Sequence, residues 1–134
     1  MTQTERQQIL EIRIGKVHIR PDDIYEIELK PNEMMTLADA HEIRQAKMQL
    51  TGGKECPNLF LMGTFGIPDH QVRAYASTEE SKAYRTADAI VIHSFAQKMV
   101  ANFYMSFHKP PVPTRFFQTK AAAVEWLLQL RDIR

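Results

Sequence analysis

Two runs of almost unbroken apolar sequence, NLFLMGTF from Asn58 and ADAIVI from Ala87, constrain this chain more than any other feature. A strand with one wet face alternates apolar and polar residues, whereas a strand covered on both faces need not. Helical patterns stand before, between and after the two runs. Helices alternating with buried strands imply right-handed crossovers and a partly parallel sheet. The expected architecture is therefore α/β: a mixed β-sheet that opens with an N-terminal β-hairpin, continues with alternating α and β elements, and is flanked by about four helices.

The hairpin comes from ILEIRIGKVHIRPDDIYEIELKP. Ile12 and Ile14 share one parity, and after Gly15 the parity passes to Val17 and Ile19, which suggests a bulge or bend at the glycine. RPDD has turn chemistry. In YEIELK, Tyr25, Ile27 and Leu29 alternate with Glu26 and Glu28, which read as a solvated strand face. The first helix runs through TLADAHEIRQAKMQLTGG. Thr36 is its N-cap, with Asp39 three residues on, close to a capping box. Lys47 interrupts its apolar side and is expected to snorkel to water. Gly52 and Gly53 supply a left-handed stop.

Pro68 suits the first turn of a second helix, whose core face would carry Val72, Tyr75, Ala76 and Ala83. A third helix spans about Phe95 to Phe107. Pro110, Pro111 and Pro113 then form a stiff connector into a short strand at TRFF. In the last helix Thr119 caps, and Ala121, Val124, Leu127 and Leu128 make the core stripe. The 134 residues read as a single domain over 1–134, with 1–8 as a flexible tail, long enough to bury a core without staples.

Charge and composition remove several function classes. A formal net charge of +1 argues against a nucleic-acid surface, which needs a basic excess. No run approaches the roughly 18 apolar residues of a membrane span. The opening MTQTERQQ has no apolar signal core, and Cys56 is the only cysteine, so no internal disulfide forms. These features fit a cytoplasmic protein.

No catalytic signature emerges. TGGK, from Thr51, has the glycines of a phosphate loop in the wrong order: it ends a helix, whereas a phosphate loop begins one. Cys56 lacks a neighbouring base and reads as a small buried hydrophobe. His18, His41, His70, His93 and His108 are dispersed, with no pair at metal-ligand spacing. Neither a metal nor a cofactor is expected, nor an enzyme; an activity would need His70, Arg73 and Asn102 to converge in one cleft. The third helix, FAQKMVANFYMSF, is more telling. Ala96, Met99, Val100, Phe103 and Phe107 form one apolar face, and Ala101, Tyr104, Met105 and His108 a neighbouring one. So broad an apolar surface suits a helix wedged between neighbouring helices, or an interaction surface at Ala101, Tyr104, Met105 and His108: a homodimer contact, a partner groove or the wall of an apolar-ligand pocket.

The stretches TLADAHEI, VRAYAST, ANFYMSFHKPPVPTRFF and AAAVEWLLQL, with the strands between them, resemble the STAS superfamily (SpoIIAA-like) over about Ile12 to Leu130. More narrowly they resemble bacterial STAS/SEC14 domain-containing proteins. The resemblance implies a STAS-like fold and protein interaction as the usual activity. It also exposes a departure. Anti-sigma-factor antagonists in that superfamily are switched through a phosphorylatable serine after a buried strand, and the matching region here, MGTFGIPDHQVR, has none. Thr64 is its nearest hydroxyl.

Two functions follow. The first is a non-catalytic regulatory or protein-interaction module, probable as a homodimer, that docks a regulatory protein partner through Thr64, His70, Arg73 and Tyr75. The second is a small domain for an apolar small molecule or lipid, SEC14-like, in which Met34, Met35, Met62 and Met105 add adaptable surface.

Overall fold

A computed structural model describes residues 8–133. Apart from Gln8, the tail expected at 1–8 lies outside the described residues. The described residues begin with a three-stranded antiparallel meander rather than a hairpin: β1 (Ile9–Ile12), β2 (Gly15–Ile19) and β3 (Tyr25–Leu29). The parity flip at Gly15 marks a two-residue turn over Arg13 and Ile14, not a bulge, and Ile12 pairs directly with Gly15 across it. A Cβ on Gly15 would collide with the carbonyl of Glu28 on β3, so the missing side chain lets the three strands close up.

Next come β4 (Met34–Met35), α1 (Leu37–Thr51), β5 (Cys56–Leu61), β6 (Ile67–Pro68) and α2 (His70–Ala76). A 3-10 turn (Glu80–Lys82) leads to β7 (Arg85–Val91), α3 (Phe95–Phe107), β8 (Thr114–Phe117) and α4 (Lys120–Ile133). The six main strands lie in the order β1-β2-β3-β5-β7-β8, antiparallel up to β3 and parallel from β3 to β8. β4 and β6 form a separate two-residue parallel ladder that pairs Met35 with Pro68. Pro68 therefore sits in a strand, not in a helical turn. The Asp69 carboxylate accepts from the Val72 N–H at 2.9 Å and starts α2 at His70.

The N-terminus of α1 carries the full capping box between Thr36 and Asp39, and Gly52 ends it in the left-handed region at φ 69°. Asp39 is also gripped by Arg13, whose Nε and Nη2 donate at 2.7 and 2.6 Å. Those bonds hold its carboxyl down at about 2 and pin the β1–β2 turn to the helix.

Each parallel strand lies beside the one before it, all in the same direction. Right-handed crossovers then put α1, α2 and α3 on one face of the sheet. Among the described residues only α4 covers the other, burying Ala123 and Leu127 against Ile24, Leu59, Ala87 and Ala89. This arrangement corrects the reading of Glu26. It faces α4 and is buried, with Arg20 Nη1 and Lys120 Nζ each 3.0 Å from its carboxylate; Glu28 alone meets water. Burial works against its charge, but hydrogen bonds from Lys120 and Arg20 outweigh it and keep the Glu26 pKa below its ordinary value.

Candidate functional site

The helices on the crossover face do not close it. α2 has 7 residues and spans roughly 10 Å, whereas β7, also of 7 residues, runs roughly 23 Å beneath it. The uncovered sheet becomes a partly open cavity of about 170 Å³ between the central strands and α1, α2 and α3, with an almost wholly apolar lining.

Strand register makes its floor two-toned. Tyr25, Asn58, Asp88 and Thr114 are successive cross-strand partners on β3, β5, β7 and β8, and all four line the cavity. Two residues further along the same strands, Phe60, Ile90 and Phe116 form a second transverse row, entirely apolar. The rows are roughly 6.6 Å apart, because residues i and i+2 share a face.

The polar row is wired to α1. Lys47 is buried, and its Nζ donates to the Cys56 carbonyl and to Asn58 Oδ1, both at 2.8 Å. It does not snorkel: β5 lies under the helix and offers two acceptors inside. Asn58 Nδ2 donates to Asp88 Oδ1 at 3.1 Å, and Arg85 Nε lies 3.5 Å from Asp88 Oδ2 without forming a hydrogen bond. Burial pulls the Lys47 pKa down to about 8, against the attraction of Asp88. Burial likewise raises the Asp88 pKa, against Arg85 and Lys47. The Cys56 thiol is pushed up by burial, which suits a packed sulfur rather than a nucleophile.

Of the residues singled out from the sequence, Arg73 and Tyr75 on α2 and Ala101 and Tyr104 on α3 line this one cavity, from opposite sides. Arg73 Nη1 donates to the Pro68 carbonyl at 2.6 Å, and Arg44 Nη1 donates to the Tyr75 hydroxyl at 2.9 Å. Burial raises the Tyr104 phenol to about 12. Thr64, in the loop after β5, and His70 are exposed, and Met105 points to solvent. His108 stacks on Tyr104 with ring centroids 5.5 Å apart, outside the lining. Of the four methionines, Met35 and Met62 line the cavity, whereas Met34 and Met105 are exposed. Asn102 and His70 both face water and do not converge with Arg73.

The orientation of α3 reverses the expected one. Phe95, Met99, Phe103 and Phe107 are exposed, Phe95 at 75% and Phe107 at 71%, whereas Gln97, Ala101 and Tyr104 are buried. Gln97 sets this rotation. Its side-chain amide donates to the carbonyls of Gly63 and Gly66 at 2.8 and 2.7 Å, and its oxygen accepts from the His93 and Ser94 N–H groups. Residues four and seven positions on must then face inward too. Ala101 and Tyr104 are thus cavity wall and not an exposed dimer contact.

Sequence reasoning missed Lys47, Asn58, Arg85 and Asp88. The available clue was parity: Asn58 and Asp88 share a face with Phe60 and with Ile90, so each puts a polar group on a buried surface. Among the described residues, no group of three or more His, Cys, Asp or Glu could hold a metal ion. No helix there is long and apolar enough to cross a membrane.

A family model described as a domain of unknown function, DUF7793, matches residues 17–131. The chain belongs to the DUF7793 family. No curated protein matches this DUF7793 domain. Among solved structures it is similar to an uncharacterised protein of the DUF3478 family from Shewanella loihica PV-4, which has a SpoIIAA-like fold. The identity is 15%, the TM-score 0.53, and 90% of each chain is covered. That likeness shows the fold: the DUF7793 domain is a SpoIIAA-like mixed sheet, flanked among the described residues by four helices.

Proposed function

We propose that this chain is a non-catalytic small-molecule-binding domain that holds a compact, mostly apolar ligand between the sheet and α1–α3. The observation that carries the reading is the cavity of about 170 Å³, on which three helices and four strands of the main sheet converge around a short polar row. An engineered apolar cavity of about 150 Å³ takes benzene, and drug-sized sites begin near 300 Å³. The volume thus suits about one ring with small substituents rather than a diacyl lipid. Lys47, the buried amine in the wall, has its Nζ committed to two acceptors, which favours holding a ligand over nucleophilic attack.

The test is methyl NMR of the full chain titrated with toluene and indole. Ile43, Ile90 and Val100 are expected to shift, and Ala101→Phe, which fills the cavity from α3, is expected to abolish the shifts without unfolding the protein. Absence of any cavity shift at millimolar probe, together with no small molecule in native mass spectra of protein purified from cells, would remove this reading.

A second reading, that the chain also pairs with a second copy in the interaction role implied by STAS kinship, rests on one observation. Phe95, Met99, Phe103 and Phe107 form an exposed apolar ridge on α3. The SpoIIAA-like neighbour supports that kinship through fold. Light scattering on the wild type and Phe103→Lys decides it: a dimer that the charge dissociates supports pairing, and a monomer in both refutes it.

A further inference from the structure

Charge around the cavity is lopsided. Arg44, Lys47, Arg73 and Arg85 line it, against the single carboxylate of Asp88. The whole chain carries 17 Lys and Arg against 16 Asp and Glu, so this local excess is not a reflection of composition. Among the described residues Arg44, Lys47 and Arg73 form no ion pair. Of these three Lys47 alone is fully buried, and a buried cation in an apolar wall ordinarily has a counter-charge. Donors also remain open. Lys47 carries three N–H groups and two are used. The side chain of Arg85 is nine-tenths buried, and its Nε has no acceptor.

We propose that the ligand is a compact organic carboxylate: an aromatic or branched apolar body of about one ring, with its carboxylate over the polar row near Lys47 and Arg85. Its body lies along the strands over Phe60, Ile90 and Phe116, and the separation of roughly 6.6 Å between the rows fits one ring with an attached carboxylate. Asp88 does not oppose this strongly. Its oxygens already face the Asn58 amide and Arg85, and burial disfavours its charge. The inference rests on the small-molecule reading of the cavity and adds the sign of the ligand's charge.

Four probes of one size separate the two claims: toluene, benzyl alcohol, benzylamine and benzoate, each titrated at pH 7 against the full chain by NMR. Benzoate is expected to bind about tenfold or more tightly than benzyl alcohol or benzylamine, the scale of one charge-assisted hydrogen bond. Lys47→Met is expected to weaken benzoate about tenfold more than it weakens toluene. Benzylamine or benzyl alcohol equal to or better than benzoate overturns the charge assignment, even if Lys47→Met does not fold. So does benzoate binding that Lys47→Met leaves unchanged. In either case toluene binding would leave the cavity reading standing. If none of the four shifts a cavity methyl, the cavity reading itself fails and the carboxylate with it.

Discussion

Leu59 and Leu61 on β5 point to one face of the sheet, and Asn58 and Phe60 to the other. On β7 the split is Ala87, Ala89 and Val91 against Asp88 and Ile90. The same strands thus build two interiors. Under α4, small alanines on β7 let one helix seat closely, with Ala123 at 0% and Leu127 at 1% exposure. Under α1–α3 the residues are larger, polar groups enter, and three helices still leave space. A single long helix laid on alanines can seat closely along its length. A short α2 cannot, and the sheet beneath it keeps its polar row. The difference separates a closely packed face from one that keeps a cavity.

Cutting a buried side chain on each face tests that division most strongly. Leu127→Ala is expected to cost about 3 kcal/mol, because closely packed surroundings relax little around the hole. Val100→Ala on the cavity wall removes a half-buried side chain that already borders empty space, and should cost less than about 1 kcal/mol. Urea unfolding of both variants measures the gap. Equal costs would mean that the two faces are packed alike.

The packed face was legible in the sequence and the cavity face only in outline. The runs around Leu59 and Ala89, the Thr36–Asp39 cap and the Gly52 stop are local signals, and local signals survive in a string of letters. Glu26 was misread because its partner Lys120 is 94 positions away in number (120 − 26), on an element whose docking no periodicity reveals. Lys47 was misread for the same reason: the carbonyl of Cys56 and the amide of Asn58 become its acceptors only once β5 lies under α1. On α3 the pattern offered two apolar faces, and hydrophobicity favoured the phenylalanines. The polar Gln97, bonding to the loop between Gly63 and Gly66, decided the rotation the other way. Arg73, Tyr75, Ala101 and Tyr104 were picked for two different surfaces, and only the crossover geometry brings them to one cavity.

The smaller expected effect is a pH signature confined to the cavity face. Lys47 meets the Asp88 and Arg85 charges from β7, the Cys56 thiol from β5 and the Tyr25 ring from β3, whose centroid is 5.5 Å from Nζ. Burial dominates, and its pKa lies near 8 in the fold, against an ordinary lysine value of 10.5. The unfolded chain therefore holds the proton more tightly, and unfolding takes one up between these two values. The Lys47 contribution to stability then rises with pH across that window, by on the order of 2 kcal/mol from pH 8 to pH 10. Burial raises the pKa of the Cys56 thiol and of the Tyr25 and Tyr104 phenols, and these groups work in the opposite sense as they ionise in the unfolded chain, the thiol from about pH 8 and the phenols as the pH approaches 10. Lys47→Met should therefore lower the slope of stability against pH between 8 and 10 in urea-unfolding curves relative to the wild type, whatever its own stability at pH 7. Leu127→Ala, on the other face, should shift the whole curve down and leave its slope intact. A slope that persists in Lys47→Met would place the titrating group elsewhere and dissolve the contrast between the faces at its polar row.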